Sequence, residues 1–122
     1  MRLLLDTNAL VRWHLENLRP AAVRTVQRAD LVCVSAISAW EIAVKQAVGK
    51  LTLEDSVEEI VTRSRFLPLA VTVRHGDLLR DLPRHHGDPF DRLLIVQALD
   101  EGLTILTSDR AFEPYRVPVV WV

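Results

Sequence analysis

A chain of 122 residues, 49% apolar and 25% charged, is long enough to bury one compact core and too short for two independent ones, and this composition excludes a disordered or fibrous protein. A formal net charge of −1 argues against coating nucleic acid by bulk electrostatics, so any RNA contact has to come from a local patch. No apolar run approaches the roughly 20 residues that span a bilayer, and the opening residues lack the basic start and long apolar stretch of a secretory leader. The expectation is one domain over residues 1–122, cytoplasmic, with no membrane partner.

Taken in chain order, Leu3-Leu4-Leu5 reads as a strand ended by Asp6, and Asn8 to Leu15 as a helix. Pro20 marks the first turn of a second helix. Leu31 to Val34 is the next strand; the lone Cys33 inside it has no intrachain partner and is expected to pack as a small hydrophobe. A helix then carries Glu41 and stops at Gly49, Ser56-Val57-Glu58-Glu59 has the form of a capping box, and a weaker strand falls near Leu67 to Val71. Arg80 to Pro89, with two prolines, a glycine and the adjacent His85 and His86, reads as a loop. A strong helix starts near Phe90 and stops at Gly102, followed by strands at Leu103 to Thr107 and Val117 to Trp121. Short apolar runs alternating with amphipathic stretches predict an α/β fold, a parallel sheet covered by helices.

Four carboxylates fall where a strand ends or a helix begins: Asp6, Glu41, Asp91 and Asp109. In a parallel sheet the strand C-termini share one edge, so acids dispersed along the chain converge there. Carboxylates gathered in one crevice repel one another and are either protonated or neutralised by a cation. Hard oxygen ligands without nearby cysteines or a histidine pair favour Mg²⁺ or Mn²⁺ over zinc, and such an ion supports phosphodiester hydrolysis. Each acid also has a purely structural reading. Asp6 and Asp109 can cap the helices that follow them, Glu41 can form a capping box with Ser38, and Asp91 lies in a first turn behind Asp88-Pro89, where the helix dipole favours it. Those readings account for the acids singly and not for their collection at one edge.

The segments carrying these acids are Leu3-Leu4-Leu5-Asp6-Thr7-Asn8-Ala9-Leu10, Val34-Ser35-Ala36-Ile37-Ser38-Ala39-Trp40-Glu41-Ile42 followed by Gly49-Lys50-Leu51, Asp88-Pro89-Phe90-Asp91-Arg92-Leu93-Leu94-Ile95 with Ala98, and Leu103 to Phe112. On them the chain, essentially from Met1 to Val122, resembles the PIN domains of VapC-type toxins. The resemblance implies a three-layer PIN-like fold with a central mostly parallel sheet, and Asp6, Glu41, Asp91 and Asp109 as metal-binding acids. It also implies Thr7, Asn8, Ser35, Arg92, Thr107 and Ser108 as polar residues that orient those acids or meet substrate. The implied activity is that of an endoribonuclease using Mg²⁺ or Mn²⁺, with RNA as substrate, a small antitoxin partner and a homodimer formed through helical segments.

Other residues carry weaker signals. Arg92 is the candidate phosphate clamp, or a partner for a neighbouring carboxylate; His85 and His86 beside Arg84 are either RNA contacts or a solvated loop. Trp13, Trp40 and Trp121 read as core or interface anchors, and His14 and His75 lack metal-ligand spacing. Two rival functions remain open. One is a phosphatase with Asp6 as nucleophile, although position 8 is Asn and no lysine follows the later strands; the other is a catalytically silent module that binds RNA or protein.

Overall fold

Side-chain alternation along the first strand, β1 (Arg2–Leu5), decides the layering. Leu3 and Leu5 enter one apolar core and Leu4 the other, all three completely buried, because successive strand residues point to opposite faces. A strand apolar on both faces belongs in the middle of a sheet covered on both sides. The computed structural model, which describes Met1–Val122, places it there. With β2 (Leu31–Ser35), β3 (Leu67–Leu69), β4 (Thr104–Thr107) and β5 (Val119–Trp121), the sheet order is β3-β2-β1-β4-β5. Every pairing is parallel, with Leu4 in register with Cys33 on one side and Ile105 on the other.

The helices divide between the faces. Against Leu3 and Leu5 lie Ala9 and Leu10 of α1 (Thr7–His14), Val26 of α2 (Pro20–Arg28), Ile42 of α3 (Ala36–Ala47), and Ile60 and Val61 of α4 (Val57–Arg63). Against Leu4, Cys33 and Ile105 lie Leu94 and Ala98 of α6 (Pro89–Glu101) together with Phe112 and Tyr115. The short α5 (Val73–Leu79) packs on α6. Cys33 is buried as a small hydrophobe, and burial pushes its thiol pKa up.

The helix starts are largely those expected, with one correction. Ser35, not Ser38, caps α3: its hydroxyl accepts from the Ile37 N–H at 3.1 Å. Ser38 is therefore inside the helix, and no Ser38–Glu41 capping box exists. The reason is strand length, since β2 runs into Ser35 and the helix begins at the next residue. Ser56 does cap α4 through the Glu59 N–H. A complete reciprocal box forms instead at Thr72 and His75, where Thr72 Oγ1 accepts from the His75 N–H and His75 Nδ1 accepts from the Thr72 N–H. Gly102, at φ 67°, adopts the left-handed conformation that ends α6 without a Cβ clash.

The sheet order itself positions a crevice. The chain lays β2 and β3 outward from one side of β1, then returns to place β4 on the other. Connections leaving β1 and β4 thus diverge, and the strand C-termini open a gap at this switch point, the usual ligand position in open α/β sheets.

Candidate active site

Asp6 is the first residue beyond β1 and is 4% exposed. Its Oδ1 caps α1, accepting from the Ala9 N–H at 2.7 Å, and its Oδ2 accepts from the Thr107 hydroxyl at the end of β4. Thr107 Oγ1 in turn accepts from the Asp109 N–H at 3.0 Å, so one buried threonine couples the turns after β1 and β4. Burial raises the Asp6 pKa, and the charges of Asp109 and Glu41 push the same way against the two hydrogen bonds. Each Asp6 oxygen carries one hydrogen bond, which leaves lone pairs for a cation.

Glu41 lies in the second turn of α3 and is 6% exposed. Thr7 Oγ1 lies 2.7 Å from Glu41 Oε1 and 3.0 Å from Ser38 Oγ. With a single hydrogen to give, Thr7 donates to the carboxylate and leaves Ser38 to supply the other proton. The Lys45 ammonium donates to Glu41 Oε2 at 2.6 Å.

Asp91 faces the same gap from the first turn of α6. Asp88 caps that helix through the Phe90 and Asp91 N–H groups, and the Asp91 carboxylate accepts no hydrogen bond. Burial, followed by the charges of Asp88, Asp6, Asp109 and Glu41, pushes the Asp91 pKa up to about 7. Asp109 is exposed at the rim and caps a 3-10 turn, Arg110–Phe112, through the Ala111 N–H. The structural reading thus holds for Asp6 and Asp109 as caps. It holds for Asp91 as well, a first-turn acid behind Asp88 and Pro89; it fails for Glu41, which caps nothing, and it leaves unexplained why four acids from four segments bear electrostatically on one another.

This geometry can be set beside known proteins. The pattern of the PIN domain matches residues 3–117. The chain belongs to the PIN domain family. It is 30% identical to ribonuclease VapC22 of Mycobacterium tuberculosis (strain ATCC 25618 / H37Rv) over 97% of both chains. Among solved structures it is similar to VapBC2 from Rickettsia felis bound to a DNA fragment from their promoter, with a TM-score of 0.73, 16% identity and 98% of each chain covered. The DNA-bound VapBC from Salmonella typhimurium gives a TM-score of 0.67 at 19% identity, covering 98% of this chain and 97% of that one.

In this PIN domain the remaining expected residues separate. Thr7 and Thr107 each hold a carboxylate of the cluster. Asn8 and Ser108 are exposed beside it. Ser35 is 1% exposed and bonds to Gln97 Oε1 and the Ile37 N–H, which makes it a helix cap tied to α6. Arg92 loses one of its two readings, that of a carboxylate partner. It makes no ion pair with a carboxylate; its guanidinium donates to the Pro83 carbonyl at 2.9 Å, the Leu82 carbonyl at 3.3 Å and the Tyr115 hydroxyl at 3.0 Å. The Pro83 and Leu82 carbonyls of the loop before α6 take a donor from Arg92, which joins the His85 and His86 N–H groups on the Tyr115 hydroxyl. His85 and His86 pack edge-on against the Tyr115 ring.

Trp13 packs at a tilt against Phe66 and donates to Ser64, Trp121 lies under the Arg110 guanidinium, and Trp40 is 65% exposed and so belongs to no core. The side chains of His75, Asp100 and Glu101, distant in sequence spacing, bring ligand atoms within 4.8 Å of one another. His75 Nδ1 accepts from the Thr72 N–H, so Nε2 carries the hydrogen and donates to the carboxylates, at 3.2 Å from Glu101 and 3.4 Å from Asp100. Both ring nitrogens are in use, and the group is a clamp between α5 and α6. Sequence reasoning also passed over Lys45, although its i,i+4 spacing from Glu41 is the usual signal for a helical ion pair. Tyr115 offered no comparable signal.

Proposed function

We propose that this chain is a divalent-metal-dependent endoribonuclease that hydrolyses RNA phosphodiester bonds, and the toxin of a toxin–antitoxin pair. The observation that carries the reading is the gathering of Asp6, Glu41, Asp91 and Asp109 at the switch point between β1 and β4, with the Asp91 carboxylate left without a hydrogen-bond partner.

The donor set fits Mg²⁺ or Mn²⁺: carboxylate oxygens only, two of them raised in pKa by burial and mutual repulsion, which a cation relieves. Asp6, Glu41, Asp91 and Asp109 would hold the ion. When bound, it supplies Lewis acidity and a sink for the charge developing on the phosphodiester. Thr107 and Thr7 keep Asp6 and Glu41 aimed into the gap, while the backbone amides that Asp6 and Asp88 cap keep the turns rigid. Asp109, exposed at the rim, leaves the site open to a polymer. As a nucleophile Asp6 is poorly suited, because both its oxygens accept hydrogen bonds and it is buried.

The VapC kinship and the VapBC complexes of the structural neighbours support an antitoxin partner. The exposed apolar stripe Trp40, Val44 and Val48 along α3 supports a protein contact as well. A homodimer through helical faces and a cytoplasmic location complete the reading; no helix is long and apolar enough to cross a membrane. The test is cleavage of an RNA substrate by the purified chain. Mg²⁺ or Mn²⁺ should support it and a chelator should abolish it, and undiminished cleavage in excess chelator by nuclease-free protein would refute the metal requirement.

A further inference from the structure

We propose that Lys45 is a resident counter-cation of the acidic site: its ammonium holds the position on Glu41 that a divalent ion takes, and is displaced when the ion binds. The inference rests on the reading of Glu41 as a metal ligand.

Each Glu41 oxygen carries one hydrogen bond, as each Asp6 oxygen does, but on Oε2 the donor is itself a cation. Thr7 occupies Oε1 at 2.7 Å and Lys45 occupies Oε2 at 2.6 Å. A dication approaching Oε2 meets the ammonium at ion-pair distance, and two cations on one oxygen repel. The two partners differ in how easily they leave. Thr7 is 6% exposed and buried beside Ser38, whereas the Lys45 side chain is 47% exposed and the Glu41 side chain only 8%. A half-exposed lysine on a flexible stem gains water and rotamer freedom when released, so the exchange runs with the ion entering and the lysine leaving.

The surrounding charges point the same way. Among Asp6, Glu41, Asp88, Asp91 and Asp109, only Glu41 forms an ion pair, and Lys45 is its partner. Lys45 also feels the negative charges of Asp88 and Asp91. Lys45 is therefore the one cation in ion-pair contact with these five acids.

The test uses the full chain without RNA. Lys45→Met keeps the apolar stem and removes the charge, and Glu41→Gln is the control. In calorimetric Mn²⁺ titrations Lys45→Met should bind about tenfold more tightly than wild type, the size expected for removing a nearby like charge at a partly exposed site. Glu41→Gln should bind at least several-fold more weakly. Unchanged or weaker Mn²⁺ binding by a folded Lys45→Met chain would overturn the proposal, because Lys45 would then be an idle surface pair or a prop for Glu41. If Glu41→Gln binds Mn²⁺ as wild type does, the ligand reading fails and the proposal falls with it.

A second readout does not depend on any substitution. Lys50 is the only other lysine, so ¹³C-dimethylated amines, which keep their charge, give two lysine NMR signals beside that of the Met1 amine. Saturating Mg²⁺ should shift the Lys45 signal and leave that of Lys50 in place; an unmoved Lys45 signal in Mg²⁺-loaded protein would also overturn displacement.

Discussion

At the C-terminal end of α6, Asp100 accepts from Arg74 Nε at 2.9 Å, and both Asp100 and Glu101 face the ring of His75. At the N-terminal end, about 16 Å away by the helical rise, Asp88 and Asp91 have no ion pair at all. The helix dipole explains part of the contrast. Acids at a helix N-terminus are favoured by it and acids at the C-terminus are opposed, so Asp100 and Glu101 need partners that Asp88 and Asp91 can forgo. The dipole does not explain why the N-terminal pair faces three further carboxylates, which burial and repulsion turn into a cost. Paired acids act as a clamp between helices; unpaired acids gathered with other carboxylates carry a cost that a cation relieves, which is the basis of the proposed metal site.

The sharpest way to break this comparison is to neutralise one acid at each end. Asp91→Asn or Asp6→Asn should lower RNA cleavage about 100-fold or more while the chain stays folded, whereas Asp100→Asn should leave cleavage within about twofold and cost roughly 1 to 2 kcal/mol of stability through the lost charged hydrogen bonds. Equal losses of activity at both ends, read from initial rates beside thermal melts, would erase the distinction. A smaller effect is expected from Thr107→Val, which keeps the shape and removes the hydroxyl that orients Asp6. Mn²⁺ affinity should fall about tenfold, at the low end for groups that orient metal ligands, and calorimetry would expose an unaffected site.

Smaller again is a pH effect in chelator. Because the folded Asp91 pKa lies near 7 against an ordinary 3.8, the folded state binds the Asp91 proton more tightly than the unfolded state does. Stability from this group is therefore lost as pH rises from about 4 to about 7. The melting temperature of Asp91→Asn minus that of wild type should climb across this window and level off above it; a flat difference would show that Asp91 is not perturbed. Mn²⁺ should flatten the curve for wild type alone.

Much of the architecture was legible in the residues because its signals are local. Leu3 to Leu5 reads as an apolar strand, Pro20 and Pro89 sit at helix starts, Gly102 stops α6, and Asp6 and Asp109 follow strands whatever lies elsewhere in the chain. Boundaries slipped by a residue or two where the strand pattern is apolar beyond the ladder, as at Leu103 and Val117. Side-chain direction was not legible, since it is settled by partners that lie far along the chain. Arg92 reads equally well as a phosphate clamp, yet turns to the Pro83 carbonyl and the Tyr115 hydroxyl, which the fold brings beside it. His75 has no ligand spacing, yet meets residues 25 and 26 positions away because α5 packs on α6. Lys45 and Glu41 are neighbours by helical period alone, but only the return of β4 beside β1 brings Asp6 and Asp109 to the same gap. Hydrophobic period and caps act within a few residues, whereas the field at a carboxylate sums over everything the fold brings within reach.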